Sequence, residues 1–364
     1  MTVDPHMTLV LQRAMLRANK EAIRGLGRTS PNPIVGAVIL SQDGKEIASG
    51  FHSGGDHAEI IAMKNARDAG MHDFSSATLV VTLEPCNHTG KTPLCSLAII
   101  EAGFNRVVYA TVDPNPIARG GAQTLKTAGI EVIGDVEREF VSYSNRAWLK
   151  KVTTGLPWIV SKIAATLDGK IAASDGSSQW ITSQESRVDV AHLRNQADAI
   201  VTSTETVLQD NPDLTPRFSG NNPTGRTLNP VRVIMGEREI NKNARIMNDR
   251  AENYFIKNRS FDSLLSLAQE RQWNQLLVEA GAEFNSALLE ADLIDEIVLY
   301  QAPTLLGRGK DFAGGLTIST LAERRDMSFG EVRRIGHDLR IQLLRNKSSF
   351  AELFNPEFSR AGEK

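Results

Sequence analysis

The chain has 364 residues, more than one compact domain usually holds, so two domains are expected, each large enough to bury a core. Its 41% hydrophobic and 23% charged residues fall in the globular range, and 41 Lys and Arg against 43 Asp and Glu leave a net charge of −2. That balance lacks the basic excess of a nucleic-acid binder, and basic residues run no longer than pairs such as Lys150-Lys151 and Arg333-Arg334. No apolar stretch approaches the ~18 to 20 residues that span a bilayer, and the N-terminus has no basic segment followed by an apolar core. A cytoplasmic protein with no membrane and no nucleic-acid partner is expected.

In chain order, apolar periodicity predicts a helix over 9–23, strands over 34–40 and 46–51 joined at Asp43-Gly44, and a helix over 58–69. A strand over 78–83, a helix over 93–102, a strand over 106–111, a helix over 120–128, a strand over 130–133 and a helix over 137–149 follow. This alternation implies an α/β domain with its sheet between helices. Thr153-Thr154-Gly155-Leu156-Pro157 interrupts the helical pattern with poor helix formers, which sets domains at 1–152 and 157–364. The second domain alternates again: strand 158–163, helix 184–194, strands 199–201, 231–235 and 253–256, helix 261–271, strand 276–278, helix 284–290, and strands 296–301 and 338–344. Residues 210–230, rich in Pro, Asn, Gly and Thr, read as a long loop. Thr182-Ser183-Gln184-Glu185 reads as a helix capping box.

Only two cysteines occur, Cys86 and Cys95, and their closeness serves a metal site better than a structural disulfide. Zinc that performs hydrolysis requires three protein ligands and an open position for water. His57, Cys86 and Cys95 supply the three, and Glu59 can carry the water's proton without ligating the metal. His-x-Glu followed by Pro-Cys-x-x-Cys is the zinc-deaminase pattern. Pro85-Cys86 matches it, but eight residues separate the cysteines here rather than two. The site can still close if Cys86 ends a strand and Cys95 lies in the first turn of the next helix, both facing the helix start at His57. Helix N-termini there favour thiolate charge. The Cys-x-His spacing makes His88 a rival fourth ligand, which would turn the site into a closed structural one.

The second domain has no Gly-x-Gly-x-x-Gly opening a helix after a strand, so a Rossmann dinucleotide site is not expected. Instead Leu276-Leu277-Val278-Glu279-Ala280-Gly281-Ala282 takes a buried strand through small residues into a helix start, whose free N–H groups suit a phosphate.

The runs Ser30-Pro31-Asn32-Pro33-Ile34-Val35-Gly36, Gly50-Phe51-His52, His57-Ala58-Glu59, Thr82-Leu83-Glu84-Pro85-Cys86-Asn87-His88-Thr89-Gly90-Lys91-Thr92-Pro93 and Asp113-Pro114-Asn115-Pro116 resemble the bifunctional deaminase/reductase family of riboflavin biosynthesis. The wide cysteine spacing fits that family. Lys162-Ile163-Ala164-Ala165-Thr166-Leu167-Asp168-Gly169-Lys170, Ser178-Gln179-Trp180-Ile181-Thr182-Ser183, His192-Leu193-Arg194, the stretch from Thr206 to Arg217 and Glu279-Ala280-Gly281 resemble its reductase half. Ser203 departs from the pattern, standing where many relatives carry glycine.

The resemblance implies an α/β chain: a cytidine-deaminase-like α/β/α domain followed by a dihydrofolate-reductase-like α/β domain. It implies deamination of a phosphorylated diaminopyrimidine with one zinc per chain, then NADPH reduction of the ribosyl group, in a homo-oligomer. Carried over by residue, Glu59 and Lys162 are catalytic, and His57, Cys86 and Cys95 hold zinc. Asn32 and His52 hold the pyrimidine edge, and His88, Lys91 and Thr92 meet ribose and phosphate. Ala164, Trp180, Thr206, Asp210, Gly281, Ala282, Glu283, Phe284, Asn285, Ser286 and Ala287 border NADPH. Ser178, Arg194, Leu214, Arg217 and Glu279 border the reductase substrate, the two arginines as phosphate partners.

Overall fold

The chain divides into two units, the first running to Thr154 and the second beginning at Gly155. The computed structural model describes residues 5–87, 94–217 and 229–345. Among them no helix is long and apolar enough to cross a membrane.

The first unit opens with α1 (Pro5–Ile23), whose buried Leu11, Ala14, Met15, Ala18 and Ala22 recur every three or four residues along one face. After it come β1 (Gly36–Leu40), β2 (Glu46–Phe51), α2 (Ala58–Asp68), β3 (Thr78–Leu83), α3 (Cys95–Ala102), β4 (Arg106–Thr111), α4 (Gly121–Thr127), β5 (Glu131–Ile133), α5 (Arg138–Ser144) and α6 (Arg146–Thr154). One sheet runs β2-β1-β3-β4-β5, with β1 antiparallel to both neighbours and β3, β4 and β5 parallel. Every residue of β1 and β3 is buried, as a sheet covered on both faces requires. Ala37, Ile39, Leu79 and Val81 pack with Ala62 of α2 and Ile99 of α3, whereas Val38, Val80 and Val108 pack with Met15 of α1. The α1 backbone lies so close to β1 that a Cβ at Gly36 would fall 2.0 Å from the Ala18 carbonyl oxygen.

The second unit contains β6 (Trp158–Thr166), β7 (Lys170–Ala172), α7 (Gln184–Gln196), β8 (Ala199–Ser203), α8 (Thr204–Asp210), β9 (Val231–Met235), β10 (Asn253–Ile256), α9 (Phe261–Glu270), β11 (Gln275–Val278), α10 (Ala282–Glu290), β12 (Glu296–Ala302), β13 (Lys310–Asp311), β14 (Met327–Ile335) and β15 (Asp338–Arg345). Its main sheet has the order β10-β9-β8-β11-β6-β12-β15-β14. The strands from β10 to β12 are parallel and the last two antiparallel. Ile159, Ile163, Val201, Val233, Leu276 and Val278 form a core with Leu264 of α9 and Leu288 of α10. Arg232 on β9 is fully buried. It donates from Nη1 to the Asp213 carbonyl (3.1 Å) and from Nη2 to the carbonyls of Asn248 (2.8 Å) and Ala251 (2.6 Å).

Several elements depart from the sequence expectation, each for a tertiary reason. The helix expected over 137–149 is two helices, broken at Asn145. There the side chain accepts from the Ile34 N–H (3.0 Å) and donates to the Ile34 carbonyl (2.7 Å), a pair of bonds to a segment distant in sequence. The helix also continues through Thr153 and Thr154, whose hydroxyls donate to the carbonyls of Leu149 and Lys150 (both 2.7 Å) four residues back. The cap of α7 is Ser183 rather than Thr182, its hydroxyl accepting the Ser186 N–H at 3.3 Å. Four elements had no counterpart in the sequence pattern: β7 and β13, two very short strands that pair with each other, α8, a short helix directly after a strand, and β14, an outer strand whose mostly exposed residues carry no apolar alternation.

Candidate functional site

Three junctions of the first unit bring the metal-type side chains together. His57 is the N-cap of α2, Cys95 is the first residue of α3, and Cys86 follows β3 after three residues. The His57 Nδ1 lies 3.1 Å from Cys95 Sγ and 3.6 Å from Cys86 Sγ, and the three ligand atoms all fall within 4.8 Å of one another. A tetrahedral zinc with ordinary Zn–N and Zn–S bonds needs its ligand atoms about 3.5 to 3.8 Å apart, so this donor set fits the ion. Hydrogen bonding from Cys95 and from His57 lowers the Cys86 thiol against its burial. That bond and burial push Cys95 up, while the bond to Cys86 raises His57.

Glu59 sits in the first turn of α2 and is only 3% exposed. Burial raises its carboxyl above the ordinary value, and Cys86 and Cys95 are among its neighbours. His52 is buried, its ring edge-on to that of His57 with centroids 5.7 Å apart. Its Nδ1 meets the Asp56 carbonyl at 3.2 Å, which places the proton there and leaves Nε2 to accept from Asn32 Nδ2 at 3.5 Å. Burial lowers the His52 pKa, and the nearby His57 adds to that, so the neutral ring is favoured. His88, Lys91 and Thr92 lie outside the described residues.

Sequence reasoning assigned no role to Glu84, yet it fixes the strand end that carries Cys86. Its buried carboxylate accepts the N–H groups of Asp113 (3.2 Å), Gly120 (3.1 Å) and Ala122 (3.0 Å). At Gly121, between the last two donors, a Cβ would fall 1.8 Å from the Pro85 carbonyl oxygen, so only glycine allows this approach. The signal available was a carboxylate beside Pro85-Cys86; its donors lie 29 to 38 residues further on, in the loop after β4 and at the start of α4, which no local pattern shows. Glu84→Ala leaves the buried N–H groups of Asp113 and Ala122 and the half-buried one of Gly120 without an acceptor, at roughly 1–3 kcal/mol for each buried group. The expected result is a lowered unfolding temperature and a zinc affinity weakened ~10–100-fold, read by competition with a chelator. Unchanged zinc affinity would remove Glu84 from the support of the site.

In the second unit, Glu279 follows β11 and is 7% exposed. Arg194 of α7 grips it with Nε at 2.5 Å from Oε1 and Nη2 at 3.0 Å from Oε2, and Lys162 of β6 approaches Oε2 to 3.3 Å. Burial alone would raise this carboxyl, but Arg194 and Lys162 together hold it at about 2. Arg194 also donates to the Thr215 carbonyl at 3.1 Å. Nearby, the Gly281 N–H donates to Thr206 Oγ1 (3.3 Å) and Ser178 Oγ to Asp210 Oδ1 (3.3 Å), which joins the starts of α8 and α10 and ties the end of α8 to the segment before α7. Ser203 caps α8, accepting the Thr206 N–H at 3.1 Å, a bond that glycine cannot offer.

The other expected positions differ in how much they present. Gly281 is the N-cap of α10 and Ala282 and Glu283 open that helix, where N–H groups lack intrahelical acceptors. Asn285 turns inward, donating to the Ala280 carbonyl (2.8 Å) and accepting from Ser161 (2.7 Å), and Ser286 is buried, while Phe284 stacks edge-on against Phe261. Ala287 lies further along α10. Ala164 sits two residues beyond Lys162 on β6, in register with Tyr300. Trp180 is 65% exposed with the Arg187 guanidinium 4.5 Å over its ring. Leu214 is buried at a φ of 55°, and Arg217 is exposed.

Comparison with known proteins agrees with both halves. Residues 10–111 match the family model of the cytidine and deoxycytidylate deaminase zinc-binding region, and residues 157–341 match that of the RibD C-terminal domain. The riboflavin biosynthesis protein RibD of Mycobacterium tuberculosis is 39% identical over 92% of this chain and 97% of its own length. That of Escherichia coli is 37% identical over 91% and 98%. The crystal structure of a diaminohydroxyphosphoribosylaminopyrimidine deaminase/5-amino-6-(5-phosphoribosylamino)uracil reductase from Thermotoga maritima is similar at a TM-score of 0.85 and 35% identity, covering 94% of this chain and all (100%) of that one. Acinetobacter baumannii RibD is similar at a TM-score of 0.83 and 34% identity, covering 93% and 99%. The α/β expectation for both halves agrees with these matches. The chain belongs to the RibD family of riboflavin biosynthesis enzymes, with a zinc-binding deaminase half followed by an NADPH-dependent reductase half.

Proposed function

We propose that residues 1–152 deaminate 2,5-diamino-6-ribosylamino-4(3H)-pyrimidinone 5′-phosphate at its 2-amino group, and that residues 157–364 reduce the ribosyl group of the product to ribityl. The end product is 5-amino-6-ribitylamino-uracil 5′-phosphate. The observation that carries the first step is the convergence of His57, Cys86 and Cys95 with the buried Glu59 alongside. His57, Cys86 and Cys95 hold zinc, which when bound polarises water for attack. Glu59 carries one proton of that water to the adjacent ring nitrogen as the C–O bond forms and then the remaining hydroxyl proton to the amine as the C–N bond breaks, so that the water oxygen stays as the ring carbonyl and the amino group leaves as ammonia. Asn32 and His52, with the ring held neutral, present hydrogen-bonding atoms to the pyrimidine edge.

NADPH, when bound, supplies the reducing equivalents of the second step. Thr206, Asp210, Trp180, Ala164 and the stretch from Gly281 to Ala287 border it, with the first backbone N–H groups of α10 suited to its phosphates. Lys162 stands against the reacting sugar carbon or its imine, oriented by Glu279. Ser178, Leu214, Arg194 and Arg217 border the substrate. A cytoplasmic location and a homo-oligomer are part of the same reading; apolar Phe329, Val332 and Leu339, left exposed on β14 and β15, support the assembly.

The test is one preparation with two readouts: zinc per chain, and NADPH oxidation on addition of the diaminopyrimidine. The expected result is one zinc and oxidation that begins only after ammonia release. Oxidation of NADPH without prior ammonia release would overturn the order of steps.

A further inference from the structure

Resting on the reductase reading above, we propose that the cavity bounded by Asp213, Lys242, Arg245 and Arg250 is a phosphomonoester subsite of the second unit, with Arg245 and Lys242 as its cations beside Arg217. The cavity is ≈ 360 Å³, within the range of small-ligand pockets. Its one carboxylate does not oppose an anion. Asp213 Oδ2 is paired with Arg250 at 2.9 Å, and Oδ1 accepts the Thr215 hydroxyl at 2.8 Å and lies 3.9 Å from Arg232. Asp213 is thereby neutralised from inside the fold, and the lining keeps a cationic surplus.

Arg194 cannot supply the charge for a phosphate by itself, because Glu279 already neutralises it through two bonds. A phosphomonoester carries close to two negative charges at neutral pH and needs further cations. Among the described residues, Lys242, Arg245 and Arg217 have no carboxylate partner. The backbone N–H of Arg245 donates to Asn211 Oδ1 at 2.7 Å, which fastens this segment to the loop leading to Leu214 and Arg217. Lost solvation and the neighbouring Arg194 and Arg245 lower the Arg217 guanidinium below its ordinary value, against the pull of Asp213 and Glu279. Arg245 and Arg217 repel each other there, and an anion held between them relieves that repulsion.

Two reactants carry that group: the sugar 5′-phosphate and the 2′-phosphate of NADPH. The full-length protein, Arg245→Ala and Lys242→Ala/Arg245→Ala are titrated with inorganic phosphate by calorimetry, then assayed for reduction with NADPH and with NADH. Both side chains are exposed, so the fold is expected to persist. The double variant is expected to bind phosphate at this site roughly tenfold or more weakly, in keeping with the loss of charge-assisted bonds. A raised KM for the phosphorylated substrate alone assigns the subsite to the sugar phosphate. A raised KM for NADPH but not NADH assigns it to the cofactor, and weaker phosphate binding without either change assigns it to free phosphate. Phosphate binding equal to that of the parent protein overturns the proposal, whatever the kinetics. Failure of the parent protein to reduce its substrate would sink the reductase reading instead and leave the phosphate titration standing.

Discussion

Glu279→Ala is expected to destabilise the second unit by about 3–5 kcal/mol, because it removes the shared counter-charge of two enclosed cations and leaves them facing each other. The bidentate Arg194 contact and the Lys162 contact both end on this carboxylate. Thermal unfolding monitored in the parent and the variant checks this; a loss below 1 kcal/mol would show that Arg194 and Lys162 find other partners. Glu279→Gln keeps the volume and one acceptor, so it should unfold at an intermediate temperature while still lowering reductase turnover through a misplaced Lys162. The same carboxylate gives the unit an acid limit. Its folded value of about 2 lies below the ordinary 4.5, so its contribution is complete above the ordinary value and is lost as pH falls from there towards 2. That difference corresponds to about 3 kcal/mol. The parent protein should therefore lose stability between pH 5 and 2 more steeply than Glu279→Ala.

Glu59→Gln is expected to cut deamination by ~10²–10⁴-fold while zinc content and the reduction of deaminated substrate stay at parent levels. The amide occupies the same space but cannot take a proton, and Glu59 is not among the clustered ligand atoms. Burial raises the Glu59 pKa, so stability is lost as pH rises from the ordinary carboxyl value towards that raised one. The glutamine variant should then unfold at a temperature no lower than the parent at pH values above the ordinary carboxyl value. Lys162→Ala is the reciprocal variant, with reduction lowered and ammonia release unaffected. If either substitution lowered both activities equally, the assignment of one reaction to each half would fail.

The metal cluster was legible because its members sit where the sequence changes element. His57 precedes a run with helical periodicity, and Cys86 and Cys95 flank the passage from a buried strand to a helix. The strands β2, β3, β4, β9 and β10 have the bounds that their apolar runs and turn residues predict. Contacts between distant segments were not legible. Asn145 looks like an ordinary helix residue until Ile34 is placed beside it, and Glu84 looks like an ordinary acid until three N–H groups from beyond β4 converge on it. The strand β14 escaped because exposure on an outer strand leaves no apolar pattern to read. In the reductase half, Glu279 stood in a recognisable run, but the strength of its grip on Arg194 and Lys162 depends on the register of β6 and β11.

Arg232 bears on how freely this chain can change length. By bonding the carbonyls of Asp213, Asn248 and Ala251, one side chain pins the protein on both sides of the stretches that separate those residues from β9. Once such ends are held, each doubling of the intervening chain adds only about 0.6 kcal/mol of closure entropy. Lengthening the chain between Arg217 and β9 is therefore expected to cost little stability, provided the arginine itself stays. A lysine there has one charge but three donors on a single atom, too compact to reach carbonyls spread across two segments.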